Sequence, residues 1–117
     1  MGAIKRLKYY DQGIVSTLYI CFRAKTPEVE QFYECYFDSG LQNHWLAQIT
    51  QEGARNHGLL NMAIEDVFDM PLPYPHPEEQ RKIADFLSAI DSKIDLVAQE
   101  LSHARTFKQG LLQQMFV

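Results

Sequence analysis

From Pro77 to Val117 apolar residues recur alternately four and three positions apart. The series is Ile83, Leu87, Ile90, Ile94, Val97, Leu101, Ala104, Leu111 and Met115, and Lys108 is its one charged break. A repeat averaging 3.5 residues keeps one narrow stripe along a helix, the condition for winding against a partner. At ~1.5 Å per residue such a helix runs roughly 60 Å. The residues that precede it make too small a body to cover a stripe of that length. In heptad terms the a positions are Gln80, Leu87, Ile94, Leu101, Lys108 and Met115, and the d positions are Ile83, Ile90, Val97, Ala104 and Leu111. Phe86, Phe107 and Leu112 widen the stripe beyond a strict two-stranded seam. Ala104 and Lys108 thin it, which costs stability and can fix register. Gly110 costs about 1 kcal/mol relative to Ala inside a helix, so the last turns are expected to bend or fray.

The segment leading into this helix is equally informative. Met70 to Pro77 reads MPLPYPHP, four prolines in eight residues. Each proline fixes its own φ and pushes the residue before it toward extended geometry, so the segment is a stiff connector. Pro77 suits the first helical position, and Glu78 and Glu79 suit the positive end of the helix dipole. His76 is the available N-cap.

Upstream the pattern is mixed. Residues 4–11 are short and basic and end at Asp11-Gln12-Gly13, a turn signal. Ile14 to Phe22 (IVSTLYICF) is rich in β-branched and aromatic residues and is expected to form a strand. Thr26 as N-cap and Pro27 open a helix with Val29, Phe32, Tyr33, Tyr36 and Phe37 on its apolar face, stopped at Ser39-Gly40. A second helix is expected over 41–50, with Leu41, Trp45, Leu46 and Ile49 inward. Gly53 to Gly58 reads as a polar loop, Leu59 to Ala63 as a short extended piece, and Ile64 to Phe68 as one helical turn. The expected fold is therefore α+β: residues 1–76 form a small mixed domain with its proline-rich connector, and residues 77–117 form the long helix.

At 117 residues the chain holds one compact domain and an extended element. Apolar residues make up 46% of it, enough for a core. The net charge is −4, and neither part has the basic surplus of a free-standing nucleic-acid binder. Any DNA contact must come from a local patch or from partner subunits. Cys21 and Cys35 sit in apolar surroundings and read as small core residues rather than a disulfide pair. With no signal peptide and no transmembrane run, the expected compartment is the cytoplasm.

No chemistry is written in the motifs. His44, His57, His76 and His103 and the two cysteines lack ligand spacing, so no metal is expected. Glu65, Asp66, Asp69, Glu78 and Glu79 sit at helix starts and turns, where capping accounts for them better than acid–base catalysis. No nucleophile elbow, P-loop or dinucleotide loop is present, so no cofactor is expected. For nucleic acid the candidates are Lys5, Arg6, Lys8, Arg23, Lys25 and the trio Arg55, Asn56 and His57. Lys and Arg suit phosphate contacts, and Arg and Asn suit bidentate base reading. An ordinary solvated loop explains the trio equally well.

Several stretches together resemble a known family. Pro71-Leu72-Pro73 through Glu79-Gln80, then Lys82-Ile83-Ala84, Phe86-Leu87, Ile90-Asp91 and Lys93-Ile94, resemble the conserved helical region of type I restriction–modification specificity subunits. Lys108-Gln109-Gly110-Leu111-Leu112-Gln113-Gln114-Met115-Phe116 is similar to that family's C-terminus. Gln12-Gly13-Ile14-Val15-Ser16 with Leu18-Tyr19, and Gly58-Leu59-Leu60-Asn61 before Asp66, are similar to the second half of its target recognition domain. Where the family carries a proline doublet, His76 intervenes here.

The resemblance implies a non-catalytic DNA-reading subunit. Members usually carry two recognition domains, each reading half of a split site, separated by long helices packed antiparallel that also dock the methyltransferase subunits. This chain shows one recognition-type segment and one such helix, so it is expected to be a half or truncated specificity subunit. Its expected partners are double-stranded DNA, the modification (methyltransferase) subunit and a second copy of itself, with no membrane. The helix-pairing residues would be Ile83, Leu87, Ile90, Ile94, Val97, Leu101, Ala104, Lys108, Leu111 and Met115. The alternative is a dimerising or docking module for the methyltransferase that reads no DNA.

Overall fold

A computed structural model describes the backbone of residues 4–57 and 62–116 and the side chains of 4–50 and 62–116. Its elements, in chain order, are a single 3-10 turn Pro27–Val29 followed by α1 (Glu30–Ser39), α2 (Asn43–His57), α3 (Ile64–Phe68) and α4 (Pro77–Met115). No strand occurs among the described residues, so the α+β expectation is overturned: the architecture is helical.

The correction falls on Ile14 to Phe22, and Ser16 explains much of it. Its carbonyl accepts from the Tyr19 N–H at 3.0 Å and its hydroxyl accepts from the Leu18 N–H at 3.3 Å. That double bond closes a turn in the middle of the β-rich run, leaving pieces too short to propagate a ladder. A strand also needs a neighbour to take its backbone groups, and the described residues supply none. Phe22 instead packs edge-on against Phe37 and Phe68, with ring centroids 6.0 and 6.1 Å away. Cys21, expected in a core, is exposed, and Cys35 is half-buried.

The helical punctuation is local. Pro27 opens the 3-10 turn, although Thr26 makes no side-chain cap. Gly40 ends α1 in the left-handed region at φ 77°, its N–H bonding the Phe37 carbonyl. The Gln42 amide donates to the same carbonyl at 2.9 Å, so this buried side chain seals the joint before α2. The second helix extends past the expected 41–50, and residues 53–57, expected in a loop, are its last turns. Gly53 carries a penalty of about 1 kcal/mol, too small to stop a helix that its neighbours favour. Of the expected extended piece Leu59–Ala63, residues 59–61 lie outside the described residues.

The chain divides into two compact units, Met1–Arg81 and Lys82–Val117. In the first, Phe32, Leu46, Ile49 and Val67 are buried, and α3 packs on α2. The proline connector is tied down at two points. The Tyr33 hydroxyl donates to the Pro73 carbonyl at 3.1 Å, and the Gln80 amide donates to the Pro75 carbonyl at 2.9 Å. Gln80, a heptad position by count, is thus a buried anchor, only 2% exposed. At the start of α4 the Glu78 N–H bonds His76 Nδ1 at 3.3 Å, the cap that an imidazole can supply when that nitrogen is unprotonated. Among the described residues no helix is long and apolar enough to cross a membrane.

Candidate nucleic-acid interface and helix-pairing face

The positions expected to contact DNA separate into three groups. Lys5, Arg6 and Lys8 lie in an irregular segment against α1. Their partners are Glu30, Glu34 and Asp38, spaced four residues apart and therefore stacked on one helix face. Lys5 Nζ meets Asp38 at 2.6 Å. Arg6 spans Glu30 at 2.7 Å and Glu34 at 3.1 Å, and Lys8 also pairs with Glu34. Three cations are thereby matched by three carboxylates. Burial raises the affinity of Glu34 for a proton, but the hydrogen bonds and charges of Lys8 and Arg6 outweigh it and hold the carboxyl below its usual range. The same bond to Glu34, with its charge, holds the Lys8 ammonium above its ordinary value.

Arg23 and Lys25 form the second group. Both are exposed beside an open hollow lined by Ala24, Pro27 and Glu30, and neither makes an ion pair among the described residues. Unlike Lys5, Arg6 and Lys8, they are not matched by a carboxylate among the described residues. The third group, Arg55, Asn56 and His57, has helical backbone at the end of α2 rather than the expected loop, and its side chains lie outside the described residues. The carboxylates of α1 were missed by the sequence reading. Their four-residue spacing was visible, yet spacing on one helix does not say which cation it will meet.

Tyr33 is a further residue that the motifs did not flag. Burial first, and the neighbouring Tyr74 second, hold its hydroxyl in the neutral form that donates to Pro73. That bond links α1 to the extended connector, so the acidic face and the connector share one support.

In the second unit the heptad stripe is open to solvent. Ile90, Ile94, Val97 and Leu101 are each 41–59% exposed, Leu111 is 40% exposed and Met115 is 73% exposed. Ile83 is 37% exposed, Leu87 is half-buried, and Ala104 and Lys108 are exposed. Phe86 and Phe107, which flank the stripe, are also exposed. A run of large apolar side chains along one helix exceeds what monomeric proteins ordinarily leave in water. No group of three or more His, Cys, Asp or Glu among the described residues is arranged to hold a metal.

Residues 2–104 match the type I restriction modification DNA specificity domain. The chain belongs to that family. The match spans the cationic segment, α1 to α3, the proline connector and α4 as far as Ala104, so it covers the first surface and the stripe up to that residue. No curated protein and no solved structure matches the chain. A DNA specificity domain recognises DNA and leaves the chemistry of restriction and modification to other components. The buried Gln80 gives the family-like Glu79-Gln80 pair a structural role, since its amide holds the end of the proline connector where α4 begins.

Proposed function

We propose that this specificity-domain chain works as a DNA-specificity component of a type I restriction–modification complex, pairing through α4 with a second copy. Residues 1–76 act as the recognition part with its connector, and residues 77–117 as the spacer helix. Arg23 and Lys25, with Arg55, Asn56 and His57, supply DNA contacts, and the methyltransferase subunit docks in the same cytoplasmic assembly. The observation that carries this reading is the open stripe from Ile83 to Met115 on a chain of this family. Antiparallel pairing of two such helices would cover both stripes and set two recognition parts a fixed distance apart, which is what reading a split site requires.

Substituting Leu87→Glu together with Ile94→Glu places charge on the stripe of both copies, and sedimentation velocity is expected to show monomers. A dimer surviving both changes would sink the pairing. Selection from a pool of random duplexes, with the chain alone and with a modification subunit, is expected to enrich one half-site. Salt-sensitive binding without sequence preference would favour the second reading, a docking module for the methyltransferase that reads no DNA. One observation supports that reading: Lys5, Arg6 and Lys8 are already neutralised by α1.

A further inference from the structure

Every ion pair among the described residues joins the segment Lys5 to Lys8 to the same face of α1. Around Arg6 and Glu34 the pairing is crossed rather than one-to-one. Arg6 spans two carboxylates and Glu34 receives two cations, so these pairs are coupled, while Lys5 and Asp38 pair separately. A carboxylate offers a guanidinium or ammonium the same kind of charged oxygen acceptor that a phosphate does. The cations that would otherwise form the chain's densest basic cluster are thus occupied by acceptors of phosphate-like chemistry. The Lys5, Arg6 and Lys8 side chains remain 71%, 40% and 49% exposed, and pairs this open to water are weak enough to exchange.

We propose that the acidic face of α1 is an internal latch, holding Lys5, Arg6 and Lys8 in place of DNA phosphates until a bound duplex displaces it. The inference rests on the reading of this chain as a DNA-binding component. It adds a consequence: a passing duplex of arbitrary sequence gains few phosphate contacts, whereas one already held by other residues brings phosphates close enough to compete. The latch lowers non-specific affinity without removing the cations.

Salt dependence of binding to a random-sequence duplex, measured by fluorescence anisotropy on the full chain, reads the number of phosphates neutralised. The slope of log K against log salt steepens by about 0.9 for each cation freed. Glu34→Gln, which releases Lys8 and loosens Arg6, is expected to steepen it most. Asp38→Asn, which releases only Lys5, is expected to steepen it by one cation, and Glu30→Gln least because Arg6 keeps Glu34. Glu28→Gln, on the neighbouring 3-10 turn and in no ion pair among the described residues, removes the same charge and is expected to leave the slope unchanged. Adding Lys8→Ala to Glu34→Gln should return the gain. Duplex binding by the native chain with the same slope in Glu34→Gln, or an equal gain from Glu28→Gln, overturns the latch and leaves the DNA reading intact. Absence of duplex binding in every variant, Glu34→Gln included, overturns both.

Discussion

The helices of the two units use apolar residues in different ways. In Met1–Arg81 the short helices turn Phe32, Leu46, Ile49 and Val67 inward, each at most 8% exposed, while the irregular segment before them keeps Ile14, Leu18 and Tyr19 in water. In Lys82–Val117 the stripe from Ile90 to Leu101 remains roughly half in water on one continuous helix. The difference lies in periodicity as much as in composition. Short helices with a 3.6-residue pattern meet each other within their own length, whereas a 3.5-residue stripe of this extent can be covered only by an element equally long. The first unit therefore has a small core of its own, and the second carries an apolar face that its own chain leaves open.

The sharpest way to break that comparison is to remove large side chains from each unit in turn, one from the first and two from the second. Phe32→Ala is expected to cost the first unit about 3–5 kcal/mol, the usual range for a buried Phe, with a melting midpoint independent of protein concentration. Leu87→Ala with Ile94→Ala should instead act through association, lowering the midpoint more at high protein concentration than at low. Thermal melts at two concentrations separate the cases. A concentration-independent loss from the Leu87 and Ile94 substitutions would mean that the stripe serves only its own chain.

Gly40 tests how firmly the first unit depends on local backbone geometry. It holds φ at 77°, and a Cβ there would come within 3.0 Å of the Asn43 amide. Gly40→Ala is expected to cost about 1–2 kcal/mol through the left-handed penalty, read as a lower denaturation midpoint with unchanged denaturant sensitivity. This turn is one of several features legible in the sequence, along with the opening at Pro27, the turn of α3 and the start of α4 at Pro77. Each is a local signal, set by two or three neighbouring residues. Tertiary facts were not legible. The β-rich run Ile14 to Phe22 carries strand composition, but a strand exists only if another supplies its hydrogen bonds, and Ser16 bends the run first. Gly53 looked like a loop boundary, yet its cost is small against helix continuation through α2. For the DNA-facing surface, composition nominated Lys5, Arg6 and Lys8 without showing that Glu30, Glu34 and Asp38 stand opposite them. Charge in a sequence names what is available and leaves open what is already engaged.

The smallest effect is the most diagnostic of that engagement, because it isolates the first unit's surface from its core. The Glu34 carboxyl is held below its ordinary value of 4.5, so its pairing contributes stability above that pH and loses it as pH falls through the lower, folded value. Lys8 is held above its ordinary 10.5, so its share is complete below that value and is lost as pH rises past the folded one. Between these limits the native chain should melt above Glu34→Gln by a constant margin, within about 4 °C for exposed pairs in a unit this size. As pH falls below 4.5 the margin should shrink, closing once the folded value is passed, since a protonated Glu34 and a glutamine offer Lys8 and Arg6 equally little charge. Melting curves of both chains from acid to neutral pH measure this directly. A margin unchanged into acid would mean that Glu34 acts through packing alone, and the cations beside it would then be free for DNA without displacing anything.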